Sequence, residues 1–157
     1  MSYWESGGKS DEWYTPKYVF DALGCTFDLD VANGAVSGAN VPCLERIGAD
    51  SLMAPWQGLV WMNPPFGGRN GIVPWLDKFF AHGNGIALTP DRTSTDWWQD
   101  AALRSDAILF FRAKVKFERP DGSIGASPST GTTLFACGPV AVTALVRSRL
   151  GVVFKNE

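Results

Sequence analysis

The sequence predicts an α/β fold in which a mostly parallel sheet carries helices on both faces and an antiparallel hairpin lies near the C-terminus. Residues 59–62, 85–88 and 107–111 are short apolar runs of the kind found in strands buried on both faces. Segments with helical spacing separate these runs, and this alternation is typical of a parallel sheet with two covered faces. A chain of 157 residues is long enough for one such domain with a substantial core.

The first helix is predicted from its end signals. Residues 1–12 are polar and are expected to form a flexible arm. Thr15 then resembles an N-cap with Pro16 at the first helical position, and Gly24 resembles the stop. A strand over residues 26–31 follows, in which apolar and acidic side chains alternate between two faces.

Later elements follow from similar signals. Three further helices are expected, over residues 74–82, 96–103 and 139–150. Ser94 or Thr95 would cap the second of these, and Gly151 would close the third. Residues 115–117 and 132–136 are expected to pair across a loop rich in Gly, Ser and Pro, which gives the antiparallel hairpin.

Composition narrows the class of protein. No linker divides the chain, so residues 13–157 are expected to form a single domain without a separate recognition domain. The sequence has neither a signal peptide nor an apolar run of the ~20 residues that span a bilayer, which favours a cytoplasmic location without membrane contact. The three cysteines are scattered, so we expect neither a disulfide framework nor a metal site.

The charge distribution is uneven. The net charge of −2 argues against tight, non-specific binding to nucleic acid. Positive charge nevertheless concentrates in residues 104–119, where five basic residues stand against two acidic ones. This segment predicts a local basic face, although a solvated strand edge explains the same residues about equally well.

The loop after the apolar run 59–62 reads Asn63-Pro64-Pro65-Phe66, a pattern expected by chance in roughly one chain in a thousand of this length. The Asn63 side-chain oxygen and the Pro64 carbonyl could accept both N–H bonds of an exocyclic amino group and favour a more tetrahedral nitrogen. The prolines stiffen the turn, and Phe66 offers a face on which a base rotated out of its helix can stack. We favour this interpretation over a rigid turn with a core phenylalanine.

Acidic residues suggest a second binding site. Asp30 ends the first strand, and its carboxylate could accept hydrogen bonds from the amino group or ribose hydroxyls of a bound nucleotide-like cosubstrate. Asp28 points the same way but is more easily explained as a turn cap. The Asp50 carboxylate could bind the adenine amino group of such a cosubstrate. An exposed aspartate in a turn, without a binding role, explains this residue equally well. A P-loop pattern is absent.

Several motifs together resemble the phage Dam-like DNA N6-adenine methyltransferases. The shared stretches, in order, are Glu12-Trp13-Tyr14-Thr15-Pro16, Phe27-Asp28-Leu29-Asp30-Val31-Ala32, Trp61-Met62-Asn63-Pro64-Pro65-Phe66-Gly67 and Pro90-Asp91-Arg92-Thr93-Ser94-Thr95-Asp96-Trp97. A looser likeness covers Lys114-Val115-Lys116-Phe117 and Ser127-Pro128-Ser129. The resemblance extends over roughly residues 12–135, nearly the whole chain.

The resemblance implies a compact, Rossmann-like class I methyltransferase fold. It also implies an enzyme that takes its methyl group from S-adenosylmethionine and acts on DNA, in the cytoplasm of a bacterial host. By analogy, the donor site would be formed by Trp13, Tyr14, Thr15, Pro16, Asp30 and Asp50. The target base would be held by Asn63, Pro64, Pro65 and Phe66. Contacts to DNA would come from Arg92, Lys114, Lys116 and Arg119. Too few residues separate Asp30 from Asp50 for a full strand–helix–strand unit, which leaves Glu45 as a weak candidate for binding the donor ribose.

Two alternatives remain open at the level of sequence. A catalytically inactive relative would keep the fold and occupy DNA without modifying it. An enzyme with the same loop could instead act on an RNA base or on a glutamine side-chain amide. His82, the only histidine, is expected to complement the negative end of a helix and not to act as a base.

Overall fold

The computed structural model describes residues 13–32, 40–48, 50–65, 70–125 and 130–156, which form a mixed α/β structure. Its seven strands are β1 (Phe27–Asp30), β2 (Cys43–Arg46), β3 (Val60–Met62), β4 (Gly85–Pro90), β5 (Ala107–Phe111), β6 (Thr132–Cys137) and β7 (Gly151–Lys155). Its α-helices are α1 (Lys17–Leu23), α2 (Val73–His82), α3 (Asp96–Arg104) and α4 (Pro139–Ser148), and a 3₁₀ turn spans Ser51–Met53. The expected arm at residues 1–12 lies outside the described residues.

The strands form one sheet in the order β2-β1-β3-β4-β6-β5-β7. Strands β1, β2, β3 and β4 pair in parallel, whereas β6 pairs antiparallel with both β4 and β5, and β7 pairs antiparallel with β5. Five strands therefore share one direction. The prediction of a mostly parallel sheet is nevertheless not met, because three of the six described pairs are antiparallel.

The predicted pairing of residues 115–117 with 132–136 is wrong. All six residues of β6 are buried, and a strand buried on both faces needs hydrogen-bonded neighbours along both edges. Strand β6 obtains them by lying between β4 and β5. Val115 and Phe117 instead bury their side chains in the core from an extended segment outside the sheet.

Helices cover both faces of the sheet, as the sequence predicts. One core contains buried side chains from α1 and α4, with Phe20 and Leu145 as examples, and Trp61 from the sheet. The other contains side chains from α2 and α3, such as Phe79 and Trp98. Each layer thus buries its apolar face against the sheet, which fixes the positions of the strand ends.

Three local expectations need correction. Pro16, and not Thr15, is the N-cap of α1, and Thr15 is buried instead. Helix α4 ends at Ser148 with Arg149 as its C-cap, at a positive φ of 57°, whereas Gly151, the predicted stop, already belongs to β7. In β1, Phe27 packs on the α1 and α4 face but Leu29 on the opposite face, since the amides of Asp28 and Leu29 both donate to the carbonyl of Leu59 and break the alternation.

Candidate functional site

The carboxyl edge of the sheet gathers most of the candidate residues. Asp30 ends β1, the loop that begins at Asn63 follows the neighbouring inner strand β3, and Arg92 follows β4. Strand β5 ends at the same edge and leads into the basic segment, residues 112–119. In α/β sheets ligands bind beyond the carboxyl ends of the strands, so this edge is the candidate site.

The Asn63 loop is held in place by the strand before it. The three side chains of β3, which include Trp61 and Met62, are at most 1% exposed, so the strand end is fixed by packing. Beyond it Asn63 is half-buried, Pro64 buried and Pro65 exposed. The Asn63 side chain makes no hydrogen bond to any residue that the structure describes. Phe66, the fourth predicted residue of this group, lies outside the described residues.

Asp30 is an acid in an apolar setting. Its side chain is only 4% exposed, and its Oδ1 accepts a hydrogen bond of 3.3 Å from the amide of Ala32. Burial raises the pKa of the Asp30 carboxyl from 3.8 to about 6, against the smaller lowering effects of the Ala32 amide and of the charge on Arg46. A buried, weakly hydrogen-bonded carboxylate is costly in isolation, and a hydrogen-bonding or cationic ligand would offset that cost.

Asp28 has a different role. Its Oδ2 accepts a hydrogen bond of 2.7 Å from the amide of Leu59, at the start of β3. Gly58 has a φ of +72°, and a Cβ at that position would lie 2.2 Å from the same carboxylate oxygen. The Asp28 carboxylate therefore fixes the turn into β3 at the opposite, amino end of the strands.

The N-terminal segment is tied to the segment that follows β5. Tyr14 and Glu118 exchange two backbone hydrogen bonds, of 2.7 and 2.9 Å. The guanidinium of Arg119 lies 4.7 Å from the centre of the Trp13 ring. Asn40 links the two segments, because its Nδ2 donates to the Thr15 carbonyl and to the Glu118 carboxylate. Residues predicted separately for donor and DNA binding are thus neighbours.

Asp50 precedes a tightly held turn. Its side chain is exposed and does not cap the 3₁₀ turn that it precedes. The Lys78 ammonium, on α2, donates to the carbonyls of Ser51 and Leu52 at 3.0 Å and also to that of Ala54. Lys78 also lies 4.9 Å from the centre of the Trp56 ring. The backbone next to Asp50 is therefore fixed to α2 by one side chain.

Sequence reasoning missed both Lys78 and Asn40. Neither belongs to a local motif, and their partners lie 24 to 27 and 25 to 78 residues away along the chain, so no spacing rule identifies them. His82 ends α2, and its Nε2 is 2.7 Å from the carbonyl of Gly58. That contact places His82 at the amino edge of the sheet, away from the Asn63 loop.

Replacing Lys78 by methionine is expected to lower the free energy of unfolding by about 2 to 3 kcal/mol, because hydrogen bonds from a charged group typically contribute that much. Methionine keeps the apolar stem against Trp56 but removes the donor of three hydrogen bonds. Urea denaturation monitored by fluorescence measures the change, and Lys78→Arg, which keeps the charge, is the control. Equal stability of Lys78→Met and the parent would contradict the assigned contacts.

The basic segment presents its charges outward. Lys114 and Lys116 are exposed, while Val115 between them and Phe117 after them are buried. The alternation puts both ammonium groups on one side of an extended strip beyond β5. Arg92 is half-buried in the turn between β4 and α3, where its carbonyl accepts from the amide and hydroxyl of Thr95.

A cavity of about 470 Å³ lies beside β1 and β2. Its lining consists of Asp28, Leu29, Leu44, Glu45, Arg46, Ile47, Pro55, Gln57 and Gly58. Glu45, the weak candidate for ribose binding, is exposed in this lining, but neither Asp30 nor Asn63 takes part in it. The cavity therefore flanks the candidate site and does not coincide with it.

Within the described ranges, no helix combines the length and apolar character needed to cross a bilayer. The same part of the chain holds no group of three or more His, Cys, Asp or Glu side chains that could bind a metal ion. Cys25, Cys43 and Cys137 are free thiols.

Fold and site together are typical of α/β proteins that bind ligands beyond their strand ends, with an acid at the end of the first strand and a polar loop after a neighbouring strand. Residues 6–138 match the family model described as DNA N-6-adenine-methyltransferase (Dam), so the chain belongs to that family. No curated protein and no solved structure matches the chain.

Proposed function

We propose that this protein transfers a methyl group from S-adenosylmethionine to the N6 amino group of an adenine rotated out of a DNA duplex at a short target sequence. The family match supports DNA adenine methylation as the reaction class. The observation that carries the proposal is the position of Asn63. Its side-chain amide makes no hydrogen bond within the described residues, and it follows the inner strand β3, beside the strand that ends in Asp30.

Two acidic side chains suit a donor with an amino group, ribose hydroxyls and a positive charge. Asp30 offers a buried acceptor with few hydrogen bonds of its own, and Asp50 an exposed one that its local turn does not use. The segment from Trp13 to Pro16, held by Asn40 and Glu118, would form the remaining wall. When bound, S-adenosylmethionine supplies an electrophilic methyl group on its sulfonium.

Donor and acceptor positions lie close together. The register of β1 and β3 puts Asp30 beside Trp61, two residues before Asn63. With strands about 4.8 Å apart and a rise of about 3.3 Å per residue, the Cα atoms of Asp30 and Asn63 lie on the order of 8 Å apart. Both sites thus fit on adjacent strand ends, and proximity is the main catalytic contribution expected.

Asn63 and Pro64 would act on the acceptor nitrogen. The lone pair of an adenine N6 is delocalised into the ring, so the amino group is a poor nucleophile. Acceptance of its two N–H bonds by the Asn63 side-chain oxygen and the Pro64 carbonyl favours a tetrahedral nitrogen and makes the lone pair available. With the amino group held in this way, a methyl group would pass from the donor sulfur to N6, and the N6 proton would then leave to water, so no side chain would need to act as a base.

Lys114, Lys116, Arg92 and Arg119 would neutralise phosphates around the rotated base. Replacing both Lys114 and Lys116 by glutamine is expected to weaken binding to all DNA sequences similarly. The slope of log affinity against log salt should fall by about 2, since each lost phosphate contact removes about 0.9. Titrations at several salt concentrations measure it. Arg147→Gln, an exposed charge on α4, should leave the slope unchanged, and an unchanged slope in the double variant would contradict the assignment.

The function is tested by expressing the chain in a bacterial host that lacks DNA methylation and sequencing its genome by a single-molecule method that reports modified bases. We expect N6-methyladenine in one short sequence context. Soluble protein that binds S-adenosylmethionine but leaves the genome unmodified would favour an inactive DNA-binding relative. Modification of RNA or protein alone would move the proposal to another acceptor.

A further inference from the structure

Strand β7 forms one edge of the sheet, and no described strand lies beyond it. Its register with β5 pairs Phe110 with Val152 and Ile108 with Phe154. The amide of Arg112 donates to the carbonyl of Leu150, and the amide of Asn156 donates to that of Asp106. In an antiparallel ladder hydrogen-bonded pairs alternate, so the even-numbered residues of β7 bond to β5.

It follows that the odd-numbered residues Gly151, Val153 and Lys155 direct their N–H and C=O groups away from the sheet. These three donors and three acceptors form an open edge that can pair with another strand. The strand contains no proline and no bulge, and its one charged side chain is Lys155. The usual devices that block edge pairing are therefore reduced to a single lysine.

The same edge exposes apolar side chains. Val152 is 52% exposed and Phe154 is 60% exposed, on the face covered by α3, where the Phe154 ring contacts that of Phe110. Leu103, near the end of α3, is 79% exposed. The side-chain Nδ2 of Asn156 donates to the carbonyls of Ala102 and Ser105, and these bonds hold the end of β7 against the end of this helix. An open backbone edge and an apolar patch thus lie together.

We propose that β7 pairs antiparallel with β7 of a second copy of this chain, about a two-fold axis at Val153. The two Val153 residues would exchange two hydrogen bonds, and Gly151 of each copy would exchange two with Lys155 of the other. Phe154 of each copy then lies opposite Val152 of the other, in the closely spaced pair that favours aromatic contact with a β-branched side chain. One patch is thus complementary to itself, as a two-fold interface requires.

The position of the one charged side chain favours antiparallel pairing with a second copy. The register puts Lys155 opposite uncharged Gly151, so the two lysines do not meet. A parallel arrangement would bring identical charged side chains together. The interface is small, which predicts a dimer of about micromolar affinity.

The pairing has a consequence for the candidate site. A two-fold axis perpendicular to the sheet reverses the strand direction in the second copy. The carboxyl edges of the two copies would then face opposite ways, and each site would be complete within one chain. Dimerisation should therefore not change turnover per chain, which separates this inference from the proposed function.

Sedimentation equilibrium of the full chain across a range of concentrations tests the proposal. We expect a mass that rises towards twice 17.1 kDa. Phe154→Asp should weaken association at least about tenfold, and Val153→Pro, which removes an outward N–H without touching the bonds to β5, should do the same. Leu44 is an apolar residue on the other edge strand and is no less exposed than Phe154, so Leu44→Asp is the matched control and should associate normally.

Circular dichroism shows whether each variant is folded, and two independent variants keep the test valid if one is not. A parent chain that stays monomeric at high micromolar concentration would overturn the proposal. So would association that survives in folded Phe154→Asp, or that is lost in Leu44→Asp alone. None of these measurements depends on methyl transfer.

Discussion

Asn63→Ala is expected to lower the rate of methyl transfer by about 100- to 1,000-fold, the range seen when one positioned hydrogen-bonding group of an active site is removed. The loss should appear in kcat, because the Asn63 oxygen is proposed to act on the amino nitrogen as it becomes tetrahedral. Stability should change little, since the side chain is half-buried and makes no hydrogen bond to a described residue. Single-turnover assays with labelled donor measure the effect.

The control for Asn63→Ala is Asn63→Asp, which keeps an acceptor oxygen and should retain more activity than alanine. Thermal unfolding and donor binding of both variants should match those of the parent. Full turnover by folded Asn63→Ala would refute the role assigned to this side chain.

Asp30→Asn is expected to act in opposite directions on stability and on donor binding. The raised pKa of Asp30 means that the folded state holds a proton more tightly than the unfolded state does. Ionised Asp30 therefore lowers the free energy of unfolding above about pH 6, and this penalty disappears as the pH falls towards 4. At pH 7 asparagine should stabilise the protein by up to about 3 kcal/mol, at 1.36 kcal/mol per pKa unit.

Donor affinity should fall about 10- to 100-fold in Asp30→Asn, because hydrogen bonds to a charged group are stronger than those to an amide. In the parent, affinity should also fall below about pH 6 as the carboxyl takes up a proton, and this pH dependence should be absent from the variant. Calorimetry across pH measures both effects. Asp28→Asn is the matched control, since its side-chain oxygen can still accept from the amide of Leu59. This variant should show neither the gain in stability nor the loss of donor affinity expected for Asp30→Asn. Equal donor affinity in Asp30→Asn and the parent would contradict the donor site.

The layers of the fold could be predicted from the sequence because they depend on local apolar runs. Each of the residue ranges 59–62, 85–88 and 107–111 coincides largely with a strand, and Thr95 caps α3 by accepting from the amide of Trp98. The direction and neighbours of β6 could not be predicted. Its six buried residues fit any central strand, and only long-range pairing decides between parallel and antiparallel neighbours.

The position of the candidate residues in the fold could be predicted to a similar extent, whereas their roles remain a prediction. Asp30 is the last residue of β1 and Asn63 is the first residue after β3, so the sequence places both at one edge once the strands are known. The break in alternation at β1 is invisible in the sequence, because it arises where two amides share the carbonyl of Leu59. The roles of Asn40 and Lys78 could not be predicted either, because each side chain binds backbone carbonyls, which any residue provides.

The most direct test of the account is to incubate the purified protein with unmodified DNA and S-adenosylmethionine that carries an isotopically labelled methyl group, and to analyse the nucleosides by mass spectrometry. We predict the label on N6 of deoxyadenosine in the parent and its near absence in Asn63→Ala. Label on another atom, or no label from a protein shown to bind the donor, would contradict the proposed pocket.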